Sequence, residues 1–437
     1  MIAKTNARQK AKPLANSSKH GRAKPGDFVE VHLTKIIYQG TLLESPETGI
    51  VLLKLETGYN IGFNKKDVLE IKVLKKSKEI KEEIEIKKDF KKPSIAMIIC
   101  GGTISSRLNP GKGGVDFVET PDDLFKYYPS FFDKVNVKEI NIPFMKGSEN
   151  MDFKDWQKIA RVVKNFLNEP EIKGVVITQG TDTLHYTSSA LSFFLRDLNK
   201  PVVLTYSQRS IDRASSDATL NLNCSVLAAI SDIAEVMIVG HASANDDFCY
   251  AIPGTKVRKM HSSRRDAFRP INRKPFAKVY KDRIEILSDY KRIKKGKVNL
   301  DLKFEEKVGL VKFYPGQNPD ILDYYVEKKY KGIILEMVGL GHVATSGARL
   351  SWIKKLKEVI GKGLVVCATA QTIYGRLDPL VYVTGREILE TGVFYLGDML
   401  SETAFVKLGW VLGHEKWNVE EKMLENFSYE FNNRLEV

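Results

Sequence analysis

The chain has only four cysteines in 437 residues. Cys100, Cys224, Cys249 and Cys367 are scattered and make no C-x-x-C pair, so neither a thiolate zinc site nor a disulfide framework is signalled. They read as small buried hydrophobes in a reducing compartment. Long apolar runs are missing too. None approaches the ~20 residues of a membrane-spanning helix, and the polar N-terminus has no apolar signal-peptide core. Nucleotide motifs are incomplete. Gly111-Lys112-Gly113 lacks the upstream glycine and following Ser/Thr of a P-loop. Gly339-Leu340-Gly341-His342 lacks the third glycine of a dinucleotide fingerprint. No ATP or NAD site is therefore expected in this chain, and no metal site. None of the seven histidines makes H-E-x-x-H; His185, His241 and His261 read as structural hydrogen-bonders rather than triad members. Acid is absent before Asp27, while residues 1–24 hold seven Lys/Arg. That segment reads as a basic disordered arm, with an organellar transit peptide as the alternative.

What the chain does have is positive charge, +14 at neutral pH. Such an excess points to a polyanionic partner, RNA first, or to a solvated surface rich in Lys and Glu. The length suits two or three domains. Residues 25–75 show short β-rich runs broken by Gly40, Gly49, Gly58 and Gly62, as in a small β-barrel. A Lys/Glu-rich linker over 76–93 closes at Pro93. From Ser94 apolar strands alternate with helical stretches, the α/β pattern. Strands are predicted at Ile95–Cys100, Val175–Thr178, Val202–Thr205 and Glu235–Val239, and helices at Asp152–Leu167, Leu184–Leu198 and Asp217–Ser231. This large lobe runs over 94–290. A basic, β-like stretch leads into an inter-lobe connection at 291–307, and a second α/β lobe fills 308–437. No internal repeat occurs.

Two of the predicted strands run straight into Gly-Thr turns. Ile95–Cys100 enters Gly101-Gly102-Thr103, and Gly174–Thr178 enters Gln179-Gly180-Thr181-Asp182-Thr183. In open α/β sheets ligands bind at the carboxyl ends of strands. Glycine there lets the backbone approach closely and aim N–H groups at a developing oxyanion. A threonine hydroxyl needs a base to become a nucleophile. Lysine can serve where burial or neighbouring cations disfavour its charged form. Lys259 stands among Lys256, Arg258, Arg264 and Arg265, so cation crowding is expected around it. Thr103, Thr181, Asp182 and Lys259 form the candidate constellation.

Ile99–Ser105, Gln179–Thr183 and Val257–His261 resemble the three signature segments of type I/II asparaginases, and the resemblance runs from about Ser94 to the C-terminus. Longer strings narrow it. Ser148-Glu149-Asn150-Met151, Gln208–Arg213, Gly254–Phe268, Gly339–Val343, Tyr374-Gly375-Arg376, Asp398-Met399-Leu400 and Val406-Lys407-Leu408 are similar to the archaeal glutamyl-tRNA(Gln) amidotransferase D subunits. So is the N-terminal β-module with Gly58-Tyr59-Asn60-Ile61-Gly62.

The resemblance implies a two-lobe asparaginase-like α/β fold, a doubly wound parallel sheet plus a smaller C-terminal lobe, behind an N-terminal β-barrel. It implies a cytoplasmic glutaminase subunit that releases ammonia from glutamine. A partner, the amidotransferase E subunit, would use ATP and Mg2+ to convert Glu-tRNA(Gln) to Gln-tRNA(Gln). This chain would carry no cofactor and form a homodimer core within a heterotetramer. Thr103 would be the first-motif nucleophile, Thr181 and Lys259 a second threonine–base pair, and Asp182 the holder of the α-amino group. Ser148 and Glu149 would hold the other polar ends of glutamine. Which threonine attacks first stays open. The family's loop tyrosine falls at Pro110, and Gln179 stands where asparaginases have histidine. Two other readings remain: a free-standing asparaginase or glutaminase, and an RNA-binding module on an inactive scaffold.

Overall fold

The computed structural model describes residues 23–77, 91–109, 114–117 and 133–434, apart from 46, 57, 58, 212, 214 and 215. Most of the basic arm, linker residues 78–90 and Pro110 lie outside the described residues. The chain divides into two compact units, residues 1–81 with 108–114 and residues 82–107 with 115–437.

In the first unit five antiparallel strands run over Phe28–His32, Ile37–Leu43, Ile50–Lys54, Asn60–Asn64 and Glu70–Lys75. The last strand returns to pair with the first, giving the order fourth, third, second, first, fifth. Alternation sends Val29, Val31, Val51, Leu53 and Phe63 into one small core. The Asp27 carboxylate accepts from the backbone N–H groups of Lys24 and Ser77, both at 2.9 Å, which ties entry to exit and holds its pKa below the usual carboxylate range. Gly40 was expected to break a strand, yet it lies inside one. A Cβ there would come within 2.2 Å of the Lys54 carbonyl oxygen, so this glycine answers to a close backbone approach.

The second unit is built on an eight-stranded sheet. Its order is Asn136–Asn141, Ser94–Ile99, Ile172–Thr178, Val202–Thr205, Val236–His241, Cys249–Pro253, Ala277–Val279 and Ile284–Ile286. The first five are parallel and the last three antiparallel. The sheet is thus mixed, and residues predicted as a basic β-like connector close its edge. Helices cover both faces. Ile98, Val175, Ile177 and Leu204 pack toward Phe153–Leu167 and Leu184–Phe194. Ile99, Val176 and Val203 pack toward Ala218–Ala229. The helix predicted from Asp152 begins with a reciprocal cap: the Asp152 side chain accepts from Asp155 N–H, and Asp155 accepts from Asp152 N–H. The helix predicted to reach Leu198 stops at Phe194, because Leu195 and Arg196 turn out to pair with Leu300 and Asn299.

Chain order fixes where the sheet can take a ligand. The chain leaves Ser94–Ile99 for one neighbour, Asn136–Asn141, then crosses to the other neighbour, Ile172–Thr178. The strand order therefore reverses between Ser94–Ile99 and Ile172–Thr178, which opens a crevice at their carboxyl ends. Both Gly-Thr turns leave from those ends.

The smaller lobe holds four parallel strands, Val308–Lys312, Gly332–Met337, Val365–Ala370 and Phe394–Tyr395, around a core containing Trp352, Leu335 and Val366. Helix Ser401–Leu412 joins the lobes: Trp410 stacks on Phe193 at 5.4 Å, and the Ser189 and Thr403 hydroxyls lie 3.0 Å apart. All four cysteines are buried, and burial pushes the thiols of Cys100, Cys249 and Cys367 up. Among the described residues no helix is long and apolar enough to cross a membrane.

Candidate active site

Gly101 and Gly102 adopt φ of 99° and 83°, a region that favours glycine. A Cβ on Gly102 would stand 2.3 Å from both Cα and N of Gly180. The two Gly-Thr turns therefore touch backbone to backbone, which neither sequence segment could show alone. Thr103 opens a single helical turn, Thr103–Ser105, and is half-buried. The Ser106 hydroxyl donates to the Gly102 carbonyl at 2.8 Å and fixes the bend.

Gly101 also packs on Lys146, whose N–H donates to the Cys100 carbonyl at 3.1 Å. This packing carries the turn Ser148–Asn150 to the crevice. Ser148 is buried, and its Oγ accepts from the N–H groups of Asp182 at 3.0 Å and Thr183 at 3.4 Å. Thr183 Oγ1 returns a bond to the Ser148 carbonyl at 2.7 Å. Ser148 thus braces the second Gly-Thr turn, and only its hydroxyl proton remains to be donated. Glu149 is exposed beside it, folded over Gly147, with Oε1 accepting from Asn150 Nδ2 at 3.1 Å.

Lys259 ends the short strand Val257–Lys259, which pairs with Phe268–Pro270. Its Nζ donates to Thr181 Oγ1 and to Asp182 Oδ1, each at 2.8 Å. The Lys259 side chain is 12% exposed and that of Asp182 61%, so the amine is sheltered while the carboxylate faces solvent. All four residues of the predicted constellation, with Ser148 and Glu149, border this one crevice.

The cation crowding expected around Lys259 is not there. Arg258 leaves the opposite face of the strand and meets Glu402 Oε1 at 2.9 Å. Arg264 and Arg269 share Asp266, and Arg265 meets Asp246 at 2.9 Å. Each guanidinium is matched by a carboxylate. The histidines are structural. His261 Nδ1 accepts from Ser263 and Arg264 N–H groups at 3.0 Å, and His241 lies between Asn221 and Asp246. His185 is buried behind the turn, 3.9 Å from Glu402; burial, then the Arg258 and Lys259 charges, push it down to about 3, so it stays neutral. Sequence reasoning missed the Arg258–Glu402 pair, which fastens the strand that carries Lys259 to the smaller lobe. A signal was present in the neighbouring Asp398-Met399-Leu400 string, since Asp398 takes the buried Lys256 ammonium at 2.8 Å.

A hydroxyl, an amine and a solvent-facing carboxylate in this arrangement suit nucleophilic attack on a ligand that carries an ammonium group. Residues 94–292 match the family model "Asparaginase, N-terminal", residues 307–423 the "Glutaminase/Asparaginase C-terminal domain", and residues 23–74 the "GatD N-terminal domain". The glutamyl-tRNA(Gln) amidotransferase D subunit of Pyrococcus furiosus is 45% identical over 421 residues, spanning 93% of this chain and 94% of that protein. That of Methanothermobacter thermautotrophicus is 41% identical, spanning 94% and 95%. The thermostable L-asparaginase from Thermococcus kodakarensis superposes with a TM-score of 0.68 at 30% identity, covering 78% of this chain and all (100%) of that one. L-asparaginase I from Vibrio cholerae gives 0.66 at 26% identity, covering 78% and 99%.

Proposed function

The chain belongs to the family of glutamyl-tRNA(Gln) amidotransferase D subunits, the glutaminase subunits of a tRNA-dependent amidotransferase, and from that premise we propose how its residues release ammonia. The observation that carries the proposal is Lys259 Nζ at 2.8 Å from both Thr181 Oγ1 and Asp182 Oδ1. Glutamine docks with its α-ammonium on Asp182 and its other polar ends toward Glu149 and Ser148. The ligand ammonium takes over the Asp182 carboxylate; the Lys259 ammonium, stripped of its counter-charge, gives one proton to solvent and stands beside Thr181 as a neutral amine able to accept another. A threonine oxygen then attacks the side-chain amide carbon. Thr181 has the base in reach, and Thr103 stands across the Gly102–Gly180 contact, so an amide between the turns meets both hydroxyls. In this reading Thr103 accepts the acyl group, and its proton passes by Thr181 to Lys259. The tetrahedral oxyanion collapses, the C–N bond breaks, and the returning proton leaves with ammonia. Water then hydrolyses the glutamyl ester and restores Thr103.

As a D subunit the chain acts within a complex of several subunits. The remaining assignments belong to this proposal. The partner is the amidotransferase E subunit, which holds ATP and Mg2+ and aminates Glu-tRNA(Gln). The assembly is a heterotetramer around a homodimer of this chain, and it works in the cytoplasm. The +14 charge supports an RNA substrate. The experiment is steady-state ammonia release from glutamine by the chain alone and with partner plus Glu-tRNA(Gln), in wild type, Thr181→Val and Pro110→Tyr. The partner and charged tRNA should raise the wild-type rate at least about tenfold, roughly 1.4 kcal/mol of barrier. Pro110→Tyr should narrow that gap, and Thr181→Val should abolish release. Vigorous release by the isolated chain, indifferent to both additions, would refute the coupling and make the chain a free-standing glutaminase.

A further inference from the structure

The short strand that carries Lys259 is fastened to the smaller lobe along its whole approach. The Thr255 carbonyl accepts from Thr403 Oγ1 at 2.9 Å, Lys256 Nζ donates to Asp398 Oδ2 at 2.8 Å, and Arg258 Nε meets Glu402 Oε1 at 2.9 Å. All three partners lie within Asp398–Thr403, at or just before the head of helix Ser401–Leu412. That head is itself pinned: the Ser401 and Thr369 hydroxyls lie 2.8 Å apart, and those of Thr403 and Ser189 3.0 Å apart. Lys259 alone turns the other way, to Thr181 and Asp182.

Glu402 stands behind both members of the threonine–lysine pair. On one side it bonds Arg258, the residue before Lys259. On the other, its Oε1 lies 3.9 Å from Nε2 of His185, in the first turn of the helix Leu184–Phe194 that follows Thr181. The Glu402 side chain is 8% exposed, and among the described residues its Oε2 has no hydrogen-bond partner. A buried carboxylate with one oxygen unsatisfied is costly, and an apolar side chain would pack there at lower cost. Its charge therefore calls for a use. The other groups that face it are His185, Tyr186 and Glu336. His185 is pushed down to about 3 by burial, then by the Arg258 and Lys259 charges, and stays neutral. Burial pushes Tyr186 up to about 12, so it stays neutral too. Burial also pushes Glu402 up; Arg258 pulls it back, and Glu336 adds to the rise.

We propose that Glu402 is a positioning residue for ammonia release: it holds the strand that brings Lys259 to Thr181 and cancels the Arg258 charge beside that amine. A strand points successive side chains to opposite faces, so fixing Arg258 on one face fixes the direction in which Lys259 leaves the other. An uncancelled guanidinium next to Lys259 would disfavour its ammonium form. The proton would then leave before a ligand reached Asp182, and the amine would be a weaker acceptor for the next one. The assignment rests on the chemistry proposed above and deepens it: the smaller lobe, as well as the ligand, sets when Lys259 can take a proton.

The test is the pH profile of ammonia release from glutamine by the full chain, with partner and Glu-tRNA(Gln) present. It compares wild type, Glu402→Gln, Glu402→Ala and the double variant Arg258→Gln/Glu402→Gln. Under the proposed chemistry kcat/KM rises with pH as Lys259 loses its proton. Glu402→Gln keeps the shape and an acceptor oxygen but not the charge. Its rising limb should move to lower pH by about half a unit or more, the scale of one unit charge removed roughly 10 Å away. The double variant removes both charges and should return the limb to its wild-type position. Glu402→Ala also removes the anchor and should lower kcat at least about tenfold, with KM for glutamine within about twofold of wild type, since Asp182 is untouched. A merely structural glutamate would change the rate or the melting temperature and leave the limb in place. An unmoved limb in Glu402→Gln overturns the proposal, and so does a double variant that stays shifted. Should Glu402→Ala fail to fold, the two limb positions still decide. Thr181→Val tests the underlying chemistry separately. If that variant is dead while the Glu402→Gln limb is unmoved, this proposal alone falls; if it still releases ammonia, the role of Lys259 falls and this proposal with it.

Discussion

Replacing Lys259 with methionine separates stability from chemistry at this site. The substitution keeps an unbranched side chain and removes Nζ, and with it two bonds of 2.8 Å, to Thr181 Oγ1 and Asp182 Oδ1. Asp182 is 61% exposed, so its carboxylate regains water and no buried charge is stranded. A pair of that kind contributes about 0 to 1 kcal/mol to folding. Thr181 loses a donor but keeps its place, because Ser148 braces the turn from the other side through the Asp182 and Thr183 N–H groups. The catalytic loss is of another size. A positioned base contributes about 10²- to 10⁴-fold, roughly 3 to 5 kcal/mol of barrier. Lys259→Met should therefore lower ammonia release at least about a hundredfold, while its thermal midpoint moves by only a few degrees. Both are measured on one preparation, release by a coupled ammonia assay and unfolding by circular dichroism. A variant that retains more than about a tenth of the wild-type rate would refute the base assignment. A collapse of the melting transition would refute the geometry from which the small folding cost was worked.

Gly102→Ala should cost activity and stability together, because its Cβ would collide with the Gly180 backbone at 2.3 Å and φ is 83°; a variant with normal ammonia release would contradict the contact between the two turns. His185 is lowered from 6.5 to about 3 in the fold, so between those values the unfolded chain binds the extra proton and stability falls as pH drops. His185→Gln should flatten that acid limb, at most about 1.4 kcal/mol per pH unit, which urea titrations at pH 7 and pH 5 would read; parallel curves for both proteins would exclude the effect. Deleting residues 1–22, which keeps the bond from Lys24 N–H to Asp27, should flatten the salt dependence of tRNA binding without shifting the unfolding midpoint, and an unchanged slope would leave the arm a solvated tail.

What the sequence made legible follows from how local each feature is. The two Gly-Thr turns were readable because each is a strand and its own punctuation, and the 3.6-residue pattern after Asp152 carried its cap with it. The sheet order was not readable from periodicity, yet it is what brings the turns together: only when Asn136–Asn141 and Ile172–Thr178 flank Ser94–Ile99 does Gly102 meet Gly180. Lys259 was read correctly as a neighbour of the threonine turn and wrongly as a crowded one. Counting cations along Lys256–Arg265 ignores where a strand points them. Arg258 turns to Glu402, 144 positions on, and Lys256 to Asp398, both supplied by the smaller lobe. Arg264 finds Asp266 only two positions away, a pairing that a reading of the acids beside the bases would have found. The consequence is chemical. With the guanidiniums neutralised by their own partners, the charge that acts on the Lys259 amine is that of Asp182, whose carboxylate faces solvent. Under the proposed chemistry, control of Lys259 therefore passes to whatever binds Asp182, and a ligand with an ammonium group is the kind that can take it.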